Sequence, residues 1–142
     1  MSYSLSFSKA VLVVLFISDK VRQEQYDYLS TASISEVLSI PKPTLVKIMQ
    51  SLTGAGIIET KEGKHGGIRL AKDPAEITVF HILEAVEKGK PLFQTSFDIR
   101  ARGQRPDKAR EVLLALFERA ESRMQQELNT KTIAEIMDDM GQ

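Results

Sequence analysis

The chain contains no cysteine. That absence excludes disulfides, thiolate zinc sites, nucleophilic cysteines and cysteine-held iron–sulfur clusters together. Net charge is missing too: 19 Lys and Arg balance 19 Asp and Glu, so the total gives no support to nucleic-acid binding. Long apolar runs are also absent. The longest, Ala10 to Ile17, is about half of what a membrane span needs. Only Lys9 precedes it as a charge and no small-residue cleavage site follows, so no secretory leader is expected and the reading is of a cytoplasmic protein. No low-complexity tract or internal repeat interrupts the chain. A length of 142 residues allows one domain with its own core and a helical extension.

What is present is an uneven charge distribution. Lys42 to Lys72 holds six basic residues against two acids, Arg100 to Arg110 five against one, and Glu111 to the end three against seven. A neutral total therefore hides two basic segments and an acidic tail.

Apolar spacing and capping signals divide the chain into elements. Phe7, Ala10, Val11, Val14 and Leu15 recur at helical spacing and predict a first helix from Ser8 to Lys20, with Ser6 or Ser8 as cap. The polar stretch Val21 to Gln25 either continues it or forms a loop. Ser30 is a good N-cap, and Leu29 and Ile34 occupy the positions of a hydrophobic staple. The second helix then presents Ile34, Val37 and Leu38 as one apolar face and ends near Ser39, because Pro41 disfavours helical geometry at Ile40. A third helix begins at Pro41 to Pro43, buries Leu45, Ile48, Met49 and Leu52, and stops at Gly54 and Gly56. Two strands, Ile57 to Thr60 and Ile68 to Ala71, flank a glycine-rich hairpin. Pro74 breaks the chain. Thr78 caps a fourth helix to Lys88, with Ile77 and Ile82 as its staple. Residues 89–105 read as a connecting loop. A long helix follows from Pro106, with Leu113, Leu116, Phe117, Ala120, Met124 and Leu128 along one edge. A short helix, Ile133 to Met140, ends the chain.

Two short helices and a tight turn followed by a two-stranded wing is the order of a winged helix-turn-helix. The expected fold is mainly α with a small β-wing: a winged helix-turn-helix over 1–88, the loop, and a dimerisation helix with the short last helix over 106–142. The second helix of such a pair fits the major groove. On the third helix Lys42, Thr44, Lys47, Gln50 and Ser51 fall away from the apolar stripe and are candidates for base or phosphate contact. Lys61, Lys64 and His65 sit at the wing beside flexible glycines. The alternative is a winged-helix module that binds only protein, its polar helix face merely solvated.

A family resemblance bears on that choice. Ile40 to Leu52, then Ala55-Gly56-Ile57-Ile58, Gly63, Gly66 to Ala71, Pro74 to Thr78 and Glu84-Ala85-Val86-Glu87 resemble, in order and spacing, the Rrf2 family of bacterial regulators, the family of the iron–sulfur cluster regulator. The resemblance implies a major-groove third helix, a minor-groove wing, double-stranded DNA as partner, and homodimers built on the long helix. It also implies that Thr44, Lys47 and Gln50 occupy contact positions and that Lys64 and His65 form the wing tip. Two departures stand out. Many members carry three cysteines after the Glu84–Glu87 segment, where this chain has none, so no cofactor is expected and the effector is left open. The family wing often has arginine before its first glycine; here Glu62 stands there, and phosphate repels it.

Other residues have plainer readings. His65 and His81 lack announced ligand partners and read as surface or structural histidines, so no metal site is expected. Asp138 and Asp139 read as solvated charge. Arg100, Arg102, Arg105, Lys108 and Arg110 read as a solvated loop, a second phosphate patch or an anionic effector site. The glycines at 63–67 lie in a hairpin rather than between strand and helix, so they do not form a phosphate-cradling loop. No local signature places a catalytic serine. An enzyme is not expected.

Overall fold

The computed structural model describes residues 5–22, 28–93 and 100–141. Its elements in chain order are α1 (Leu5–Arg22), α2 (Thr31–Leu38), α3 (Lys42–Gly54), β1 (Ile58–Lys61), β2 (Gly67–Leu70), α4 (Val79–Glu87), α5 (Gln104–Leu128) and α6 (Ile133–Met140), with a 3-10 turn at Pro74–Glu76. The expected order is present. Helix α1 begins earlier than its serines suggest: Ser6 and Ser8 lie inside it and cap nothing. Of the polar stretch after Lys20, Val21 and Arg22 continue α1, and Gln23 to Gln25 lie outside the described residues.

Local chemistry sets the boundaries. The Ser30 hydroxyl accepts the Ser33 amide at 3.1 Å and starts α2. At its other end Ser39 takes a left-handed conformation, φ 52°, and the Ser35 hydroxyl donates to the Ile40 carbonyl at 2.6 Å. These bonds fix the turn that Pro41 requires before α3. Helix α4 opens with a capping box. Thr78 Oγ1 accepts the His81 amide at 3.2 Å, and His81 Nδ1 accepts the Thr78 amide at 3.0 Å. His81 thus closes a helix end.

One core unites the winged module. Ala10, Val13, Val14 and Ile17 of α1 meet Ile34 of α2, Leu45, Ile48 and Leu52 of α3, Ile58 and Ile68 of the strands, and Ile82 of α4. Val37 does not join them; it is 59% exposed, so the apolar face of α2 is Ile34 and Leu38 alone. The strands pair antiparallel, with Glu59 opposite Arg69 and Lys61 opposite Gly67.

The C-terminal helix belongs to this core. Ile133 and Met137 are buried in it, so the packing does not follow a cut at residue 106. A bridge between Thr78 and Thr132, with the Ile133 amide donating to the Ile77 carbonyl at 2.8 Å, fastens α6 beside the start of α4. Its own capping box joins Thr132 and Glu135. Helix α5 is different: none of its 25 residues is buried.

Replacing Ile133 by Ala should lower unfolding free energy by about 2–5 kcal/mol, the range for a large-to-small core change. Urea denaturation would measure it. A loss within the ~0.5 kcal/mol typical of surface changes would mean that α6 is not part of the core.

Candidate nucleic-acid interface

Helix α3 presents two chemically distinct sides. Leu45, Ile48, Met49 and Leu52 are buried and fix the helix against the core. Lys42, Lys47 and Gln50 are exposed, and Thr44 and Ser51 are half-buried. The structure brings Lys47, Gln50 and Ser51 together in a cleft of about 330 Å³. It adds residues that sequence reasoning missed: Lys88 and Lys90, from the end of α4, line the same cleft. Three lysines and one acid, Glu87, therefore line one groove beside α3. A left-handed Lys88, φ 51°, ends α4 and lets the chain turn there. Only the fold relates Lys47 to residues some forty positions on.

The wing is anchored at its base and free at its tip. A turn closed by the Gly66 amide and the Gly63 carbonyl at 3.1 Å places Lys64 and His65 at its two central positions, both exposed. Lys61 is held differently. Its ammonium lies 5.6 Å from the centre of the Tyr28 ring, and the Arg69 guanidinium lies 4.8 Å from the same ring. Such contacts contribute about 0.5–1 kcal/mol at exposed sites. Arg69 Nε also donates to Glu59 Oε1 at 2.5 Å across the strands. Tyr28 is thus a platform for two wing cations that no spacing signal announced. Glu62 is exposed next to Gly63, so Lys64 and His65 carry the positive and hydrogen-bonding character of the tip.

The long-helix residues sit apart from this surface. Leu113 and Leu116 are 40% and 47% exposed, and Val112, absent from the sequence-based set, is 64% exposed. Phe117, Met124 and Leu128 are half-buried, and Ala120 is exposed. Phe117 is engaged within the chain: its ring stacks on Phe93 with centroids 4.9 Å apart. Of the basic segment, Arg100, Arg102, Arg105, Lys108 and Arg110 are exposed, and Lys108 pairs loosely with Glu111 at 3.7 Å.

A family model, the Rrf2 family of iron-dependent transcriptional regulators, matches residues 3–139. The chain belongs to the Rrf2 family. Among similar proteins, the helix-turn-helix regulator YwgB of Bacillus subtilis (strain 168) is 33% identical over 69% of this chain and 65% of its own length. The regulator NsrR of Geobacillus kaustophilus is 35% identical over 60% of this chain and 56% of its own. The chain therefore spans less than two thirds of the length of these curated relatives. A solved structure of T. potens IscR superposes with a TM-score of 0.72 at 18% identity, covering 99% of this chain and 88% of that one. At that identity the likeness concerns the fold, a winged helix-turn-helix with a long C-terminal helix.

Membership raises the question of iron. A thiolate-held cluster does not fit a chain without cysteine. Among the described residues no three of His, Asp and Glu converge as a ligand set. The Rrf2 fold is therefore present without the donor set for that cluster.

The wing turn offers a direct check. A Cβ on Gly66 would lie 1.9 Å from the Lys61 carbonyl oxygen, a contact that only opening the turn relieves. Gly66→Ala should loosen the hairpin, seen as faster trypsin cleavage after Lys61 or Lys64 and faster amide exchange at Ile68. Unchanged rates would show that the turn is not needed as built.

Proposed function

We propose that the chain is a sequence-specific DNA-binding transcriptional regulator that acts as a homodimer and represses by occupying its site. One observation carries the reading: α3 buries Leu45, Ile48, Met49 and Leu52 while exposing Lys42, Lys47 and Gln50, next to a wing tip bearing Lys64 and His65. This surface matches what a major-groove helix with a flanking wing requires. In this reading Thr44 and Gln50 contact base edges, and Lys42, Lys47 and Ser51 fix the helix to phosphates. Lys64 and His65 approach the minor groove, and Lys61 supports the wing from its place over Tyr28. Lys88 and Lys90 extend the phosphate track beside Lys47. Repression is the simplest output, since it needs only occupancy of a promoter. Among the described residues no helix is long and apolar enough to cross a membrane, which agrees with a regulator working at cytoplasmic DNA.

Binding to immobilised double-stranded DNA should weaken steeply with salt, through release of condensed counterions. Lys64→Ala or Lys88→Ala should each flatten the log–log salt slope by about 0.9 if the residue contacts one phosphate. Gln50→Ala should instead cost about 1–3 kcal/mol on a site selected from a randomised duplex pool and relax the choice at one base pair. A chain that no duplex retains at low salt would leave the protein-binding alternative.

The exposed edge of α5 supports the dimer in this reading. Val112, Leu113 and Leu116 are exposed, and an apolar edge left in water is an association site. A two-fold dimer buries the same edge of both copies, with Leu113, Leu116, Phe117, Ala120, Met124 and Leu128 as its seam. Recognition helices about 34 Å apart, or a multiple of that, would then read a near-palindromic site. Because Phe117 also packs on Phe93, Leu113→Asp and Leu116→Asp are the cleaner tests. Sedimentation should find dimers for the native chain and monomers for each variant, with specific DNA binding lost. A native monomer at micromolar concentration would end the dimer model.

A further inference from the structure

A cavity lies at the end of β2 away from the wing tip. It has a volume of about 510 Å³ and is walled by α1, β2, the 3-10 turn and α6. That size is ordinary for a small-molecule site, about 300–1,000 Å³. Its walls are apolar: Val21 from α1, Leu70 from β2, Pro74 from the turn and Met137 from α6. Ser18 and three cationic side chains, Arg22, Arg69 and Lys72, also line it; Arg69 is engaged with Glu59 and the Tyr28 ring. The one acid in the lining, Asp73, is already engaged, accepting the Ala75 amide at 2.8 Å. Arg22 pairs with Asp138 at 2.8 Å, but both side chains are more than half exposed, so that pair is weak and easily exchanged. Lys72 has no ion-pair partner among the described residues.

An apolar body with positive charge at the mouth selects an amphipathic anion. We propose that this cleft binds a small carboxylic acid with an apolar tail, its carboxylate held by Lys72 and Arg22 and its tail laid against Leu70, Pro74 and Met137. The site is also placed to transmit occupancy. Leu70 and the strand it ends are half of the wing, whereas Val21 and Met137 belong to the helical body. A ligand bridging them sets the angle of the wing against that body, and so the reach of Lys64 and His65. This transmission rests on the DNA-binding reading; the binding site itself does not.

Octanoate is a suitable probe, with octanol and octylamine as tail-matched controls. Isothermal titration of the full chain should show saturable binding of one octanoate per chain. Octanol and octylamine should bind at least about tenfold more weakly, as expected when a charge-assisted contact is lost. Lys72→Glu, a surface change outside the proposed DNA face, should weaken octanoate by a similar factor, and Ala134→Phe, at a residue of α6 that lines the cleft, should fill it and abolish binding. Equal binding of all three probes, no saturable binding, or octanoate affinity unchanged in Lys72→Glu would overturn the site. Saturating octanoate should also shift the salt concentration at which the chain elutes from DNA, and Lys72→Glu should blunt the shift. Site-specific binding with unaltered elution would overturn the transmission. Octanoate binding by a chain that DNA does not retain would count against the DNA-binding reading and the transmission while upholding the site.

Discussion

The placement of the wing beside the helix-turn-helix rests on one pair of backbone hydrogen bonds, between Leu29 and Ile68. The Leu29 amide donates to the Ile68 carbonyl at 2.8 Å, and the Ile68 amide returns a bond to the Leu29 carbonyl at 2.7 Å. Leu29 immediately precedes the Ser30 cap of α2, so the bridge ties the entry of the helix-turn-helix to the inner strand of the wing. A two-stranded hairpin alone is marginal in water; the bridge gives β2 a partner on its second edge. It also brings two backbones very close. Gly67 has φ 144°, and a Cβ there would lie 2.5 Å from the Leu29 carbonyl oxygen. Glycine is required at this point both for its backbone conformation and for the absence of a side chain. From there the rest follows: Tyr28 reaches Lys61 and Arg69, and the wing tip is held at a set distance from α3.

The second constraint acts at the other end of the chain. Helix α5 leaves the module without burying a residue, yet it does not end free. At its C-terminal end the Asn129 side chain accepts a bond from Thr78 Oγ1 at 2.8 Å, and the chain then returns through Thr132 into α6. One hydroxyl thus caps α4 and holds the end of α5. Near the middle of α5, Glu121 accepts the Leu92 amide and Phe117 stacks on Phe93. The helix is fixed at two points along its length while Val112, Leu113 and Leu116 remain in solvent. Such an arrangement transmits the orientation of the winged module rigidly to whatever covers that edge.

Much of this was legible in the sequence because the signals were local. Ser30 and Thr78 declared their helices through capping chemistry, and Pro41 forced the turn at Ser39 within two residues. The Rrf2 motifs carried the order of elements as far as Glu87. Features set by distant packing were not legible. Periodicity showed that α6 carries Ile133, Ile136, Met137 and Met140 but not that the first three would pack on the core while Met140 stays exposed. Val37 fits a helical stripe by spacing, yet among the described residues it stays exposed. Lys88 and Lys90 carry no motif; they reach the cleft beside Lys47 only because α4 ends there. Tyr28 gave no signal at all, since a ring beneath two wing cations is a property of the folded sheet.

Where many Rrf2 members place three cysteines, this chain places a segment that begins with Leu92 and Phe93. Those two residues are bound to α5 by a backbone-to-carboxylate hydrogen bond and an aromatic stack. Thiolates that gain or lose a cluster can release a segment; a ring stack worth about 0.5–1.5 kcal/mol beyond its buried area does not change with oxidation state. Leu92 and Phe93 are therefore held to α5 by contacts that thiol chemistry would not alter. The wing is not loosely held: Ile58 of β1 and Ile68 of β2 are buried in the common core and Ile68 is bridged to Leu29, while only its outer side at Glu59, Lys61 and Arg69 rests on exposed cation–ring and ion-pair contacts of small individual strength. Beyond those buried residues the hairpin from Lys61 to His65 is exposed.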